Sequence, residues 1–333
     1  MARPRFLPDN FTLLLIATVL LASVLPVRGA LAHGLEGVTA AVVALLFFQH
    51  GAKLSRPAIW AGISHWRLHM LVTAITFAVF PLLGWALRPL LEPLLTADLY
   101  LGLLFLCTLP ATVQSAVTLT VVARGNVPAA ICSASGSTLM GIVITPLLVG
   151  LLLSQTASGS DPLQAIGRIS LQLLLPFALG HMLRPQVAPW LQRHAGSTKW
   201  FDQGSILLVV YCAFSASVVA GLWQRMPAVA LAALVLVCAL LLALSMGLSV
   251  WLARRLGFSK EDEITIVFCG AQKSLVSGVP MAKVLFPVAT VGGIVLPLMI
   301  FHPLQLMVSA VIAASYARRS PGADAHASAP AKA

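Results

Sequence analysis

The chain has 333 residues, of which 59% are hydrophobic and only 9% are charged, and its mean hydropathy is +0.94. Soluble domains carry about 25% charged residues, so this composition excludes an ordinary water-soluble fold and predicts a membrane protein. The basic excess, 21 Lys and Arg against 10 Asp and Glu, does not indicate nucleic-acid binding, because no basic run with interleaved aromatic residues occurs. The five cysteines lie in apolar runs without metal-ligand spacing and predict neither disulfides nor a metal site.

Ten apolar segments follow one another along the chain, each long enough to cross a bilayer core about 30 Å thick as a helix. The sequence therefore predicts an all-α polytopic membrane protein with ten transmembrane helices. Their approximate bounds are 10–27, 37–53, 66–89, 97–122, 127–154, 163–183, 203–222, 227–253, 263–285 and 290–316.

The basic residues are distributed unevenly between the two sides of these spans. Fifteen fall on the side that holds both termini, five fall on the opposite side, and Lys273 lies inside span 9. Because cytoplasmic loops collect Lys and Arg, this bias predicts a bacterial-type inner-membrane protein with both termini in the cytoplasm. An alternative is a cleaved signal peptide, since Arg3, Arg5 and an apolar stretch precede Ala30-Leu31-Ala32. Cleavage there would leave nine spans.

The second half of the chain repeats the first in a weak but ordered form. We predict one five-helix repeat over residues 1–159, a second over 160–316, and a disordered cytoplasmic tail over 317–333. Five is an odd number of crossings, so the two repeats insert with opposite topology. Inverted repeats place substrate and ion sites near the membrane midplane, where helices are broken.

Spans 4 and 9 are the predicted broken helices. Pro110 interrupts span 4, and the segment Cys269–Ser274 opens span 9 around Gly270, with Gly278 and Pro280 one turn later, because proline removes a backbone hydrogen bond and glycine weakens a helix. Such backbone is tolerated inside a bilayer only where protein or a cavity satisfies it. The alternative at each site is a plain kink whose backbone groups are satisfied by nearby Ser and Thr.

Several short motifs, in order along residues 10–316, resemble the bile acid:sodium symporter family and in particular its cotransporter-7-like branch. The most specific is Phe268-Cys269-Gly270-Ala271-Gln272-Lys273-Ser274, followed by Gly278-Val279-Pro280-Met281 and Phe301-His302-Pro303. The others are Phe48-Gln49-His50-Gly51, Ala123-Arg124-Gly125-Asn126, Ser137-Thr138-Leu139 and Thr145-Pro146.

This resemblance implies a core of spans 3, 4, 5, 8, 9 and 10, a panel of spans 1, 2, 6 and 7, and broken spans 4 and 9 that cross near the midplane. It implies organic anions as substrates and sodium as the coupled ion. The sequence departs from sodium-coupled members where Phe268 takes the place of their glutamate and Lys273 that of an asparagine or aspartate. The coupling ion is therefore left open between sodium and protons.

Lys273 is the one basic residue well inside a predicted span, and intramembrane charges usually face a cavity and mark function. It is predicted to act as a fixed cation in the place of sodium, or as a proton-titrating group. Either role would let it attract a substrate anion. The structural alternative is a lysine satisfied by carbonyls of the broken span 4.

The remaining candidates for substrate or ion binding carry hydroxyl, amide or imidazole groups near the predicted breaks. The resemblance assigns ion-binding hydroxyls to the positions of Ser133 and Ser137, which share one helix face. The alternative for each serine is a hydrogen bond to the carbonyl four residues before it. The set consists of Gln114, Ser115, Ser133, Ser137, Thr138, Gln272, Lys273, Ser274 and His302.

The sequence thus predicts a secondary active transporter of small organic anions, of the bile-acid or steroid-conjugate type or simple carboxylates. The alternative is a non-transporting membrane regulator of ion homeostasis. An enzyme is not expected, because the spans hold no catalytic cluster. No cofactor is predicted apart from a sodium ion, and the expected partners are lipid and the anion. The oligomeric state is left open.

Overall fold

The computed structural model of the chain describes residues 10–53, 65–153 and 162–318, with side chains outside 153–171. All regular elements in these ranges are helical. The predicted tail lies almost entirely outside the described residues. Helices of the first half are α1 (Asn10–Val24), α2 (Gly29–Lys53), α3 (Trp66–Ala74), a π-helical turn (Ile75–Val79), α4 (Phe80–Ala86), α5 (Arg88–Leu91), α6 (Ala97–Thr108), α7 (Val113–Val122) and α8 (Val127–Leu153).

The second half continues with helices of similar length. They are α9 (Pro162–Met182), α10 (Arg184–Arg193), α11 (Ala195–Val219), α12 (Ala228–Arg255), α13 (Lys260–Ala271), α14 (Leu275–Leu285) and α15 (Val288–Ala317). Within the described ranges, seven helical segments are long and apolar enough to cross a membrane, or eight if the bent pair α6–α7 counts as one span. The protein therefore fits a polytopic membrane fold, while the count of ten inverted spans stays a prediction.

The break in span 4 lies between α6 and α7, whose axes differ by 62°. Leu109 and Thr112 have extended backbone, with φ/ψ of −72°/150° and −82°/132°. The cause is Pro110, which lacks an N–H and also disfavours helical geometry at the residue before it. Pro110 was predicted as the break, and it lies within the break.

The break in span 9 lies at Gln272–Ser274, between α13 and α14. Gln272 is extended, and the Ser274 side chain caps α14 by accepting a hydrogen bond from the Ser277 N–H at 3.1 Å. An N-cap serine offers a helix start that needs no glycine. The break thus lies inside the predicted segment Cys269–Ser274, but Gly270, Gly278 and Pro280 do not mark it, since Gly270 lies inside α13 and the other two lie inside α14.

Gly270 and Gly278 instead allow close packing around the break. A Cβ at Gly270 would lie 3.0 Å from Ile75, in the π-helical turn. A Cβ at Gly278 would lie 2.5 Å from Leu109 and 2.6 Å from Leu298. Both glycines thus bring the second broken span against its neighbours, as small residues commonly do in membrane helix packing.

Following the division that the resemblance implies, we name α1, α2, α9, α10 and α11 the panel and α3–α8 and α12–α15 the core. Within the panel, α2 packs on α9 and α11, and α1 packs on α11. Gly51 and Gly180 permit the closest approach, because a side chain at either would collide with the backbone of Phe177 or Phe48 on the facing helix. The two groups meet mainly where α11 contacts α14 and α15, and where α9 contacts α8.

One end of the core is held by the buried carboxylate of Glu263 at the start of α13. It accepts hydrogen bonds from Arg254 at 2.9 Å, Lys260 at 2.6 Å and the Tyr316 hydroxyl at 2.9 Å. A buried charge is costly unless it is paired and hydrogen-bonded. This carboxylate has both kinds of partner, and it joins the ends of α12, α13 and α15.

Candidate site at the crossing of the broken helices

The two breaks contact each other directly. The Ser274 N–H donates to the Pro110 carbonyl at 2.9 Å, and the Ser115 hydroxyl donates to Gln272 Oε1 at 2.8 Å. One bond joins the two extended segments, and the other joins the first turn of α7 to the second break. The crossing is therefore a single hydrogen-bonded unit built from both halves of the chain.

The four carbonyls from Cys107 to Pro110, at the first break, all have partners outside α6 and α7. Those of Cys107 and Leu109 accept from Lys273 Nζ, that of Thr108 accepts from the Thr145 hydroxyl at 2.8 Å, and that of Pro110 accepts from Ser274. Backbone groups without water must be paired within the protein. Unwound backbone is stable here because the second broken span and α8 supply those pairs.

Lys273 is fully buried, at 0% exposure. Its Nζ donates to the carbonyls of Thr76 at 2.8 Å, Cys107 at 3.0 Å and Leu109 at 2.8 Å, and it lies 4.1 Å from the centroid of the Phe80 ring. These contacts include the carbonyls of span 4 that were proposed as the structural alternative. The expectation that this ammonium faces a substrate cavity is wrong, because it points into the core.

The second break is held by Gln305 on α15, a residue that the sequence did not single out. Gln305 Oε1 accepts from the Lys273 N–H at 2.8 Å, and Gln305 Nε2 donates to the Lys273 carbonyl at 2.9 Å. In the first half, the Ser137 hydroxyl on α8 accepts from the Ala111 N–H at 2.9 Å. In each half, the span that follows the broken span supplies a side chain that pairs with backbone groups of the break. A lone amide inside a long apolar span was the available signal.

A cavity of about 670 Å³ lies between the panel and the core, directly against the crossing. Its panel wall contains Phe11, His50, Lys53, Phe177, Lys199, Asp202, Gln203 and Ile206. Its core wall contains Thr112, Val113, Gln114, Ser115, Thr118, Leu119, Ser135, Thr138, Leu139, Ser274, Val276, Ser277, His302, Leu306 and Ala310. The lining is therefore mixed, with aliphatic and aromatic side chains beside hydroxyls, amides and charges.

Two helix N-termini open onto this cavity. Val113 begins α7 and Leu275 begins α14, and residues of both first turns line the wall. The first N–H groups of a helix lack partners within the helix, and its N-terminus carries a partial positive charge. Thr112, which precedes α7, makes no side-chain capping hydrogen bond. This wall is therefore suited to a negatively charged group.

The panel wall adds a charged cluster at one end of the cavity. Lys53 Nζ lies 2.7 Å from Asp202 Oδ2 and also donates to Gln49 Oε1 at 3.2 Å. His50 and Lys199 line the cavity nearby. Asp202 is the one carboxylate among the described residues that line it, and it is paired with Lys53. The cavity thus carries a positive excess at this end as well.

The predicted site residues fall into three groups. Gln114, Ser115, Thr138, Ser274 and His302 line the cavity. Gln272 and Lys273 are buried behind it, within the crossing, where Gln272 Nε2 has no hydrogen-bond partner.

Ser133 and Ser137 form the third group, because neither is part of the cavity wall. Ser133 bonds His69 Nδ1 at 2.7 Å, and Ser137 holds the first break. Phe268, which the resemblance equates with the glutamate of sodium-coupled members, packs edge-on against Tyr316 inside the core. Within the described residues no three His, Cys, Asp or Glu side chains cluster as metal ligands would.

Crossed broken helices beside a mixed cavity between two helix groups are the arrangement of a membrane transporter, and comparison with known proteins agrees. Residues 9–318 match the SBF-like CPA transporter family (DUF4137), and the chain belongs to this family. The predicted relation to the cotransporter-7-like branch of the bile acid:sodium symporters is confirmed. The protein is thus a membrane transporter and not an enzyme.

Its relatives include both bacterial and animal proteins. PA2026 of Pseudomonas aeruginosa strain PAO1 is 61% identical over 325 residues, covering 98% of each chain. YfeH of Escherichia coli K12 is 53% identical over 319 residues, covering 94% of each. Sodium/bile acid cotransporter 7 of Rattus norvegicus is 30% identical over 280 residues, covering 81% of this chain and 80% of that one.

Proposed function

We propose that the protein is a secondary active transporter of small amphipathic organic anions. The observation that carries the proposal is that the N-termini of α7 and α14 open onto one cavity. Broken half-helices hold anionic substrate groups in this way in other transporters. The anionic group would bind at these N-termini, close to Ser115 and Ser274.

The rest of the cavity wall supports the choice of substrate class. Phe11, Leu139, Phe177, Ile206 and Leu306 offer an apolar surface beside the anion site. The volume of about 670 Å³ lies within the roughly 300–1,000 Å³ of small-molecule sites. An apolar body with one anionic end fits this lining, as in a bile-acid or steroid conjugate. A simple carboxylate would bind only at the N-termini of α7 and α14, without contacting the apolar surface.

Ten spans in two inverted five-helix repeats, 1–159 and 160–316, would let the panel and core open alternately to either side. In support, hydrogen bonds join the panel to the core at the end of α11 far from the cavity. There the Ser217 hydroxyl donates to the Ala289 carbonyl and accepts from the Gly292 N–H, both at 2.9 Å. Opening that side would require these two bonds to break. The cavity would then close by approach of the panel to the crossing.

Sodium and protons remain the two coupling ions under the proposal, and the lining supports protons. His50 and His302 line the cavity, and imidazole is the side chain that titrates near neutral pH. Sodium prefers oxygen ligands, and the predicted ion-binding hydroxyls of Ser133 and Ser137 are engaged elsewhere. A non-transporting regulator is not favoured, because the family is one of transporters.

Uptake by the purified protein in liposomes tests the proposal. We expect uptake of radiolabelled taurocholate, estrone sulfate or a small carboxylate, driven by an imposed proton or sodium gradient. Thr138→Trp should place an indole ring in the substrate space of the cavity and reduce uptake at least tenfold without loss of folded protein. Leu20→Trp is the control, because Leu20 on α1 is 61% exposed and does not line the cavity. Equal uptake by both variants would move the substrate path away from this cavity.

We propose an inner-membrane location with both termini in the cytoplasm, as the fifteen-to-five distribution of basic residues predicts. Alkaline phosphatase and green fluorescent protein fusions at Met1 and after Ala333 provide the test. Both ends should give fluorescence and no phosphatase activity. Phosphatase activity at the N-terminal fusion, or release of a fragment cut near Ala32, would overturn the ten-span topology.

A further inference from the structure

Three backbone carbonyls converge on one point inside the core. The oxygens of Thr76, Cys107 and Leu109 lie 2.8–3.0 Å from the Nζ of Lys273, and the face of Phe80 closes a further side at 4.1 Å. They come from separate elements, the π-helical turn and the first break. Their convergence is therefore a product of the tertiary fold.

Local structure explains why these carbonyls are available. Thr76 lies in the π-helical turn Ile75–Val79, where the ordinary helical hydrogen-bond pattern is displaced. Cys107 and Leu109 lie at the end of α6, where the last carbonyls of a helix have no partners within it. The C-terminus of a helix also carries a partial negative charge. The three oxygens thus form a site with negative potential and no carboxylate.

The shape of this site matches an ammonium group. A protonated amine has three N–H donors and no acceptor, and three acceptors are present at ordinary N–H···O lengths. The ring of Phe80 adds a cation–π contact. Lys273 is 0% exposed, so the charge has no solvent contact, and all of its protons are used by protein oxygens and not by a substrate.

We propose that these carbonyls and the Phe80 ring form a monovalent-cation site, which the protein fills permanently with its own Lys273 ammonium. A tethered amine needs no exchange with solution, so this group stays at the crossing throughout the working cycle. It joins the π-helical turn, the first break and the second break. The site would accept a free ammonium-type cation once the lysine side chain is removed.

The chemistry of the site predicts which free cations should bind it most tightly once the lysine side chain is removed. Ammonium and methylammonium can donate along the directions that Lys273 uses, and K⁺ offers charge without donors. Divalent ions should not bind, because among the described residues no carboxylate lies beside these three carbonyls to balance a second positive charge. Choline is excluded as well, since its nitrogen carries four carbon substituents and donates no hydrogen bond.

Thermal unfolding of Lys273→Ala in detergent tests the proposal. Protein purified in choline chloride would be titrated with ammonium, methylammonium, potassium or sodium chloride at constant ionic strength. We expect a saturable rise in the variant's unfolding midpoint, largest with ammonium or methylammonium, because a ligand that binds only the folded state stabilises it. Wild type should not respond. Lys283→Ala is the matched control, since Lys283 lies on α14 outside the crossing and is partly exposed.

Two results would overturn the proposal. One is an identical midpoint of Lys273→Ala in all five salts, and the other is an equal rise in wild type. If Lys273→Ala aggregates in choline chloride, the variant would be extracted from membranes separately in each of the five salts instead of being titrated. Recovery of a monodisperse peak in ammonium but not in choline supports the site, whereas aggregation in every salt contradicts it. This experiment measures stability and not transport, so the cation-site proposal can fail while the proposed transport function holds, and the reverse.

Discussion

Replacing Lys273 by methionine should cause the largest loss of stability of any single substitution at the crossing. Methionine retains the length and most of the volume of lysine, but it leaves the carbonyls of Thr76, Cys107 and Leu109 without a donor. Each buried unpaired group costs about 1–3 kcal/mol. Several kcal/mol are therefore at stake, and we expect the variant to lose both thermal stability and transport.

The measurement is the unfolding midpoint and the monodisperse fraction after detergent extraction, together with uptake in liposomes. Lys283→Met controls for the loss of a positive charge on the same broken span. We expect the control to match wild type. A Lys273→Met midpoint equal to that of Lys283→Met would mean that the three carbonyls find other partners, and the ammonium would then have no structural role.

Gln305→Leu should have the second-largest effect. Leucine has a similar volume, but it leaves the Lys273 N–H and carbonyl unpaired in the second break. Since Gln305 is fully buried, two orphaned backbone groups should cost about 2–6 kcal/mol. The crossing would also lose its fixed backbone position, so uptake should fall more than the remaining folded fraction alone explains.

Gln203→Leu serves as the control for this substitution. Gln203 lines the cavity on the panel side, so its loss removes an amide without leaving break backbone unpaired. The control should unfold at nearly the wild-type midpoint. If both glutamine variants unfold alike, the two bonds from Gln305 contribute nothing that solvent or neighbouring groups cannot replace.

The first break shows how far sequence reasoning reaches at the crossing. Pro110 predicts its own break, because the absence of an N–H and the effect on Leu109 are local properties. The position of the second break is not set by a local property of a proline or glycine. Gly270, Gly278 and Pro280 all remain helical, and the chain unwinds at Gln272–Ser274 because Gln305 and Pro110 supply distant partners for its backbone.

The candidate site divides in the same way. Gln114, Ser115, Thr138, Ser274 and His302 are polar groups in apolar spans, and they do line the cavity. The serines at 133 and 137 have the same local signature. Their hydroxyls are used by His69 and by Ala111, and no pattern within α8 reveals those partners.

The sequence by itself determined the class of protein, because composition and segment length decide whether a chain can be covered by lipid or by water. It also determined the family, the break at Pro110 and the presence of one basic residue well inside a span. Only the tertiary structure decided what that charge does. Lys273 could have faced a substrate, but three carbonyls from two other elements meet at its ammonium. Their convergence depends on packing between residues almost 200 positions apart, which periodicity and local propensity do not encode.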